Sequence, residues 1–137
     1  MIGISTKTTY ALSAIYQLSL LDAQSRLNIK SLALKADAPE KFLSQILLEL
    51  KKVHILKSTK GANGGYALAK SLEEISLTDI ISTLETNAFE ELPQTNHPTL
   101  QLFWEAKQEA LITLFNTSLA ELKIHQEKAN QSFSYII

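Results

Sequence analysis

The sequence predicts a mainly α protein (α+β): a winged helix-turn-helix with a small β-hairpin wing and a long carboxy-terminal helix. Three observations carry that reading. The stretch 57–70, KSTKGANGGYALAK, holds three of the four glycines between two short strand-like runs. Glycine reaches φ > 0 without a Cβ clash and Asn tolerates it, so Gly61, Asn63, Gly64 and Gly65 mark a hairpin tip. Two helical patterns joined by a tight turn come directly before this hairpin, and apolar residues recur at helical spacing over most of 99–130.

At 137 residues the chain is long enough for one domain with a substantial core. No apolar run reaches the roughly 20 residues that span a bilayer, so no membrane association is expected. The amino-terminal stretch reads as an amphipathic helix, not a leader peptide, because its positive region is a single late lysine and no cleavage site follows. There is no cysteine, which excludes disulfides, thiolate metal ligands and a cysteine nucleophile. A cytoplasmic protein is the simplest expectation. The net charge of −1 conceals a split. Residues 1–70 carry ten Lys and Arg against four acids, a net +6, while residues 71–137 carry three Lys against ten acids, a net −7. A basic half joined to an acidic half implies that only the first meets a polyanion.

In chain order, helix 1 is expected from Thr6 to Leu21, capped by Ser5 or Thr6 and burying Ala11, Ala14, Ile15, Leu18 and Leu21. Lys7 near its start opposes the helix dipole but suits a phosphate. Leu27 to Ile29 reads as a strand edge. Asn28 caps a short helix to about Ala36, and Asp37 makes the turn. The next helix runs from Pro39 to Val53 with Phe42, Leu43, Ile46, Leu47 and Leu50 inward. Its outward positions include Lys41, Ser44 and Gln45. In a helix-turn-helix the amino-terminal side chains of the second helix reach base edges, where Gln pairs with adenine and Ser donates or accepts. In the wing, Lys60 and the bare amides of the glycine turn suit phosphate. Ser76 caps a further helix that buries Leu77, Ile80, Ile81 and Leu84. Residues 87–98 form the one long irregular stretch, and such loops are often functional. From Thr99 to about Asn130 the pattern predicts one continuous helix. Its stripe of Phe103, Trp104, Leu111, Phe115 and Leu122 overhangs a small domain and fits a second chain. The closing SFSYII is apolar and β-prone.

These residues resemble the Rrf-two family of winged-helix transcription regulators. TKTTYAL at 6–12 is similar to its opening helix, APEKFLSQILLELKKVHIL at 38–56 to its recognition helix, and STKGANGGYALAKSLEEISLTDII at 58–81 to its wing and the helix after it. FWEAKQEALITLFNTSLAEL at 103–122 resembles its dimerisation helix. The resemblance implies a homodimer, most simply a repressor, that binds an inverted-repeat operator in double-stranded DNA. The implied DNA-binding residues are Thr6, Lys7, Lys41, Ser44, Gln45, Ser58, Lys60, Gly61, Asn63 and Gly64. The implied division is a DNA-binding domain at 1–85, a connecting loop at 86–98 and a dimerisation segment at 99–137. An effector, either a partner protein or a small molecule, would act through the loop.

The sequence also departs from the family pattern. Cluster-binding members place three cysteines after the post-wing helix; here ETNAFEELPQTNHP has none, so neither an iron–sulfur cluster nor any other metal or cofactor is expected. The usual wing arginine is Lys60, a point charge without a bidentate fork. The basic residue usual just before the first-helix tyrosine is Thr9, and His54 stands where a capping glycine is usual. His54, His97 and His125 lie in three different elements, with no partner that would make a catalytic site, so no enzyme is expected. The alternative from another class is a protein-interaction module that takes its signal from a partner enzyme. Operator binding by the purified chain alone separates the two.

Overall fold

The computed structural model describes residues 4–85 and 95–136, with side chains to residue 131. Six helices and one hairpin follow each other as α1 (Thr6–Ser19), α2 (Ile29–Ala36), α3 (Glu40–Lys52), β1 (Leu56–Thr59), β2 (Gly65–Leu68), a 3-10 turn (Leu72–Glu74), α4 (Leu77–Leu84), α5 (Pro98–Phe115) and α6 (Leu119–Ile136).

Local polar chemistry sets most of these boundaries. The Ser5 side chain accepts from the Thr8 N–H and starts α1, which ends at Ser19, two residues short of the expected Leu21. Asn28 Oδ1 accepts from the Ser31 N–H at 2.8 Å and starts α2. Asp37 ends α2 in the left-handed region at φ 52°, while the Ala38 N–H reaches back to the Ala33 carbonyl at 3.0 Å. The same device ends α3. His54 takes φ 61°, and the Ile55 N–H bonds the Leu50 carbonyl at 3.1 Å. His54 therefore does the job of a capping glycine at some backbone cost. Ser76 and Asp79 form a reciprocal capping box on α4.

The core lies where α1 to α4 meet the base of the hairpin. Ala11, Ala14 and Ile15 of α1 are fully buried, as are Leu43, Ile46, Leu47 and Leu50 of α3. The two alanines let the helices approach closely, and each buried Leu or Ile contributes roughly 1.5–3 kcal/mol against exposure. Phe42 is a correction. Expected inside, it is 39% exposed and packs edge-on against Tyr10, ring centroids 5.8 Å apart. It sits at the rim of the stripe and braces α3 against α1. Strands β1 and β2 pair antiparallel from Leu56↔Leu68 to Thr59↔Gly65. Leu27 adds the expected edge through two backbone bonds with Tyr66, 3.1 and 2.7 Å.

The single long helix expected over 99–130 is two. Asn116–Thr117–Ser118 interrupts it. The Thr117 hydroxyl donates to the Leu114 carbonyl, and Ser118 forms a capping box with Glu121. Two adjacent hydroxyl side chains that bond nearby backbone compete with helix continuation. Tertiary bonds then fix the break. The Leu77 N–H donates to the Thr117 carbonyl and the Leu119 N–H to the Ile75 carbonyl, both at 2.9 Å. Leu119 is 3% exposed within the core, so α6 returns to the body of the molecule. The carboxy-terminal residues expected to be β-prone continue α6 to Ile136. The loop expected at 87–98 lies mostly outside the described residues, and α5 opens with Pro98 at its first position.

Candidate nucleic-acid interface

Leu43, Ile46, Leu47 and Leu50 commit one face of α3 to the core, which turns the opposite face outward. Lys41, Ser44, Gln45 and Leu48 fall at i, i+3, i+4 and i+7, so they share that face. Lys41 and Gln45 are exposed, Ser44 is half-buried and Leu48 is 52% exposed. The sequence set Leu48 in the stretch that contains the outward positions, without a DNA contact. An apolar side chain amid polar ones on such a face suits a thymine methyl, and the signal was its seven-residue spacing from Lys41.

The hairpin projects beside α3. Lys60, Gly61, Ala62 and Asn63 at its tip are all exposed. Gly61 has φ 107°, and the Gly64 N–H closes the turn onto the Gly61 carbonyl at 3.0 Å. At Gly64 an added Cβ would stand 2.1 Å from the Thr59 carbonyl oxygen. Only glycine fits there, because backbone crosses where a side chain would begin. One side-chain bond joins hairpin to helix, Lys51 Nζ donating to Ser58 Oγ at 2.6 Å. Ser58 is therefore engaged within the chain, and the bond ties the end of α3 to β1.

Thr6 and Lys7 sit at the start of α1. Thr6 is exposed, but Lys7 meets Glu49 of α3 at 2.9 Å, both side chains partly exposed. The cation expected for phosphate is thus paired with the helix it flanks. Such an exposed pair is worth about 0–1 kcal/mol, so it positions more than it stabilises. Glu85, just after α4, accepts from the Ser5 N–H at 2.9 Å and from the Thr8 hydroxyl at 2.7 Å. Bonding to Ser5 first and Thr8 second holds its carboxyl below the ordinary glutamate range. The structure thus gathers the expected residues into three groups, α3, wing and the start of α1, linked by Lys51–Ser58 and Lys7–Glu49.

The residues expected at a second chain divide. No residue of α5 is buried. Phe103 is 60% exposed, its neighbour Leu102 67%, and Leu114, about three turns further along the helix, 61%. Trp104, Leu111 and Phe115 are half-buried; Phe103 and Lys107 pack on the Trp104 ring. Leu122 belongs to α6, where it is half-buried and packs against the intrachain core. Among the described residues no three His, Cys, Asp or Glu gather as a metal site, and no helix is long and apolar enough to cross a membrane.

Comparison with known proteins extends the geometry. A profile described as "Rrf2: Iron-dependent Transcriptional regulator" matches residues 4–124. The HTH-type transcriptional regulator CymR of Bacillus subtilis is 27% identical over 136 residues, 98% of this chain and 99% of its own. NsrR of Geobacillus kaustophilus is 34% identical over 84 residues, 61% of this chain and 57% of its own. The solved structure of B. subtilis CymR, described as the global cysteine regulator, is similar with a TM-score of 0.83 at 28% identity, covering 91% of this chain and 98% of that one. T. potens IscR gives 0.79 at 27% identity, covering 93% and 90%.

Proposed function

Because the chain belongs to the Rrf2 family of DNA-binding transcriptional regulators, we propose that it is a homodimeric repressor, cytoplasmic and free of any cluster, that reads an inverted-repeat operator. The observation that carries the reading is the outward face of α3, with Lys41, Ser44, Gln45 and Leu48 held beside the wing by the Lys51–Ser58 bond. Gln45 reads a base edge, Ser44 and Leu48 flank it, and Lys60 with the glycine amides follows the backbone. The bare α5 face pairs with a second copy of this chain. Two reading heads on a two-fold axis then meet successive major grooves about 34–36 Å apart.

In vitro selection of bound duplexes gives the operator. On it, Gln45→Ala is expected to cost about 1–3 kcal/mol, with little loss on random DNA. Equal loss on both overturns the base-reading role. The family's description is iron-dependent, but the residues here do not fit an iron–sulfur cluster. The sequence contains no cysteine, and its three histidines are far apart along the chain, in the turn after α3, just before α5 and within α6. We therefore read this member as metal-independent. Protein purified anaerobically is expected to carry no iron, and stoichiometric iron refutes that.

A further inference from the structure

A cavity of about 460 Å³ opens between the end of α1, the base of the wing, the 3-10 turn and α6. That volume falls within the range of small-molecule sites. Three lysines line it: Lys57 of β1, Lys70 just past β2, and Lys123 of α6, all exposed. None of the three has an ion-pair or hydrogen-bond partner among the described residues. Two carboxylates also border it, but both are bonded to their own turns. Asp22 accepts from the Gln24 N–H at 3.1 Å and the Ser25 hydroxyl at 2.7 Å, and Glu74 accepts from the Ser71 N–H at 3.2 Å. Leu68 and Leu72 supply apolar lining. Three lysines from three separate segments outnumber the two carboxylates around one concavity, and that excess of positive charge is one an anion would relieve.

We propose that this cavity binds a small, multiply charged anion, a phosphorylated or polycarboxylate metabolite, as the effector of the regulator; the effector role rests on the reading above, the binding itself does not. Lys57 and Lys70 belong to the wing and Lys123 to α6, so one bound anion ties the wing to the helix that follows α5. That tie fixes the wing relative to the dimer axis and so changes operator affinity.

The test is isothermal titration of the full chain, without DNA and at fixed ionic strength, with inorganic pyrophosphate and separately with citrate. One site per chain is expected for at least one probe, and which probe binds tighter assigns the phosphate or the carboxylate class. Lys123→Ala is expected to weaken binding roughly tenfold, the scale of one charge-assisted contact. Lys128→Ala removes the same charge from the same helix outside the cavity and is expected to leave binding unchanged. No saturable heat up to roughly 10 mM, far weaker than a typical metabolite site, overturns the proposal. Equal loss in both variants does so too, since that is diffuse attraction. A Lys123→Ala variant that flattens the salt dependence of DNA binding also overturns it, because the cavity then belongs to the DNA track.

Discussion

At Gly64 and His54 the backbone favours glycine for two different reasons. Gly64 has no room for a Cβ, because the Thr59 carbonyl oxygen occupies that space. Gly64→Ala is expected to cost roughly 1–3 kcal/mol, the usual penalty of forced overpacking, and to lower the melting temperature by several degrees. A melting temperature within about one degree of wild type shows a looser tip than described here. His54 occupies a left-handed position that glycine would take without strain. The glycine cluster was legible as a hairpin tip, but for the left-handed geometry that Gly61 and Gly65 adopt, not for the crowding at Gly64; His54 stood out only through the family resemblance, which usually has a capping glycine there. The Lys7–Glu49 pair was not legible, because its partners are 42 residues apart and only the α1–α3 contact brings them together.

Between elements, the contact least visible in the sequence is the one from Glu85 to the start of α1. Its carboxylate answers the Ser5 N–H and the Thr8 hydroxyl, joining the end of α4 to the first turn of α1. The folded carboxyl is held below its ordinary value, so its contribution is present above the ordinary glutamate range and is lost as pH falls through the folded value. Thermal melts across acidic pH are therefore expected to show wild type above Glu85→Gln at neutral pH, with the gap closing as pH falls below that range. A gap independent of pH removes the charge from the account. The element boundaries themselves were largely readable, because Ser5, Asn28, Asp37 and Ser76 act within a few residues of where they stand. The break at 116–118 was not. Leu119 and Leu122 continue the apolar spacing of α5, so periodicity alone bridges a gap that backbone bonds to Ile75 and Leu77 create.

For the whole molecule, the proposed assembly rests on the apolar face of α5. None of its 18 residues is buried, although Leu102, Phe103 and Leu114 are large and exposed. Phe103→Glu is expected to give a monomer in sedimentation with helical content retained, and to lose operator binding. A dimer that persists moves the interface elsewhere. The sequence read one apolar stripe from Phe103 to Leu122 on a single helix, whereas α5 ends at Phe115 and α6, carrying Leu122, turns back to the core. That turn has a mechanical consequence. Through the Leu119–Ile75 and Leu77–Thr117 bonds, the far end of α5 is riveted beside the exit of the wing. In the proposed dimer, the gap between the two half-sites is then gauged by Asn116 to Leu119 and not by the recognition helix. Transplanting a different α3 would change the letters that are read and leave the number of letters between them untouched.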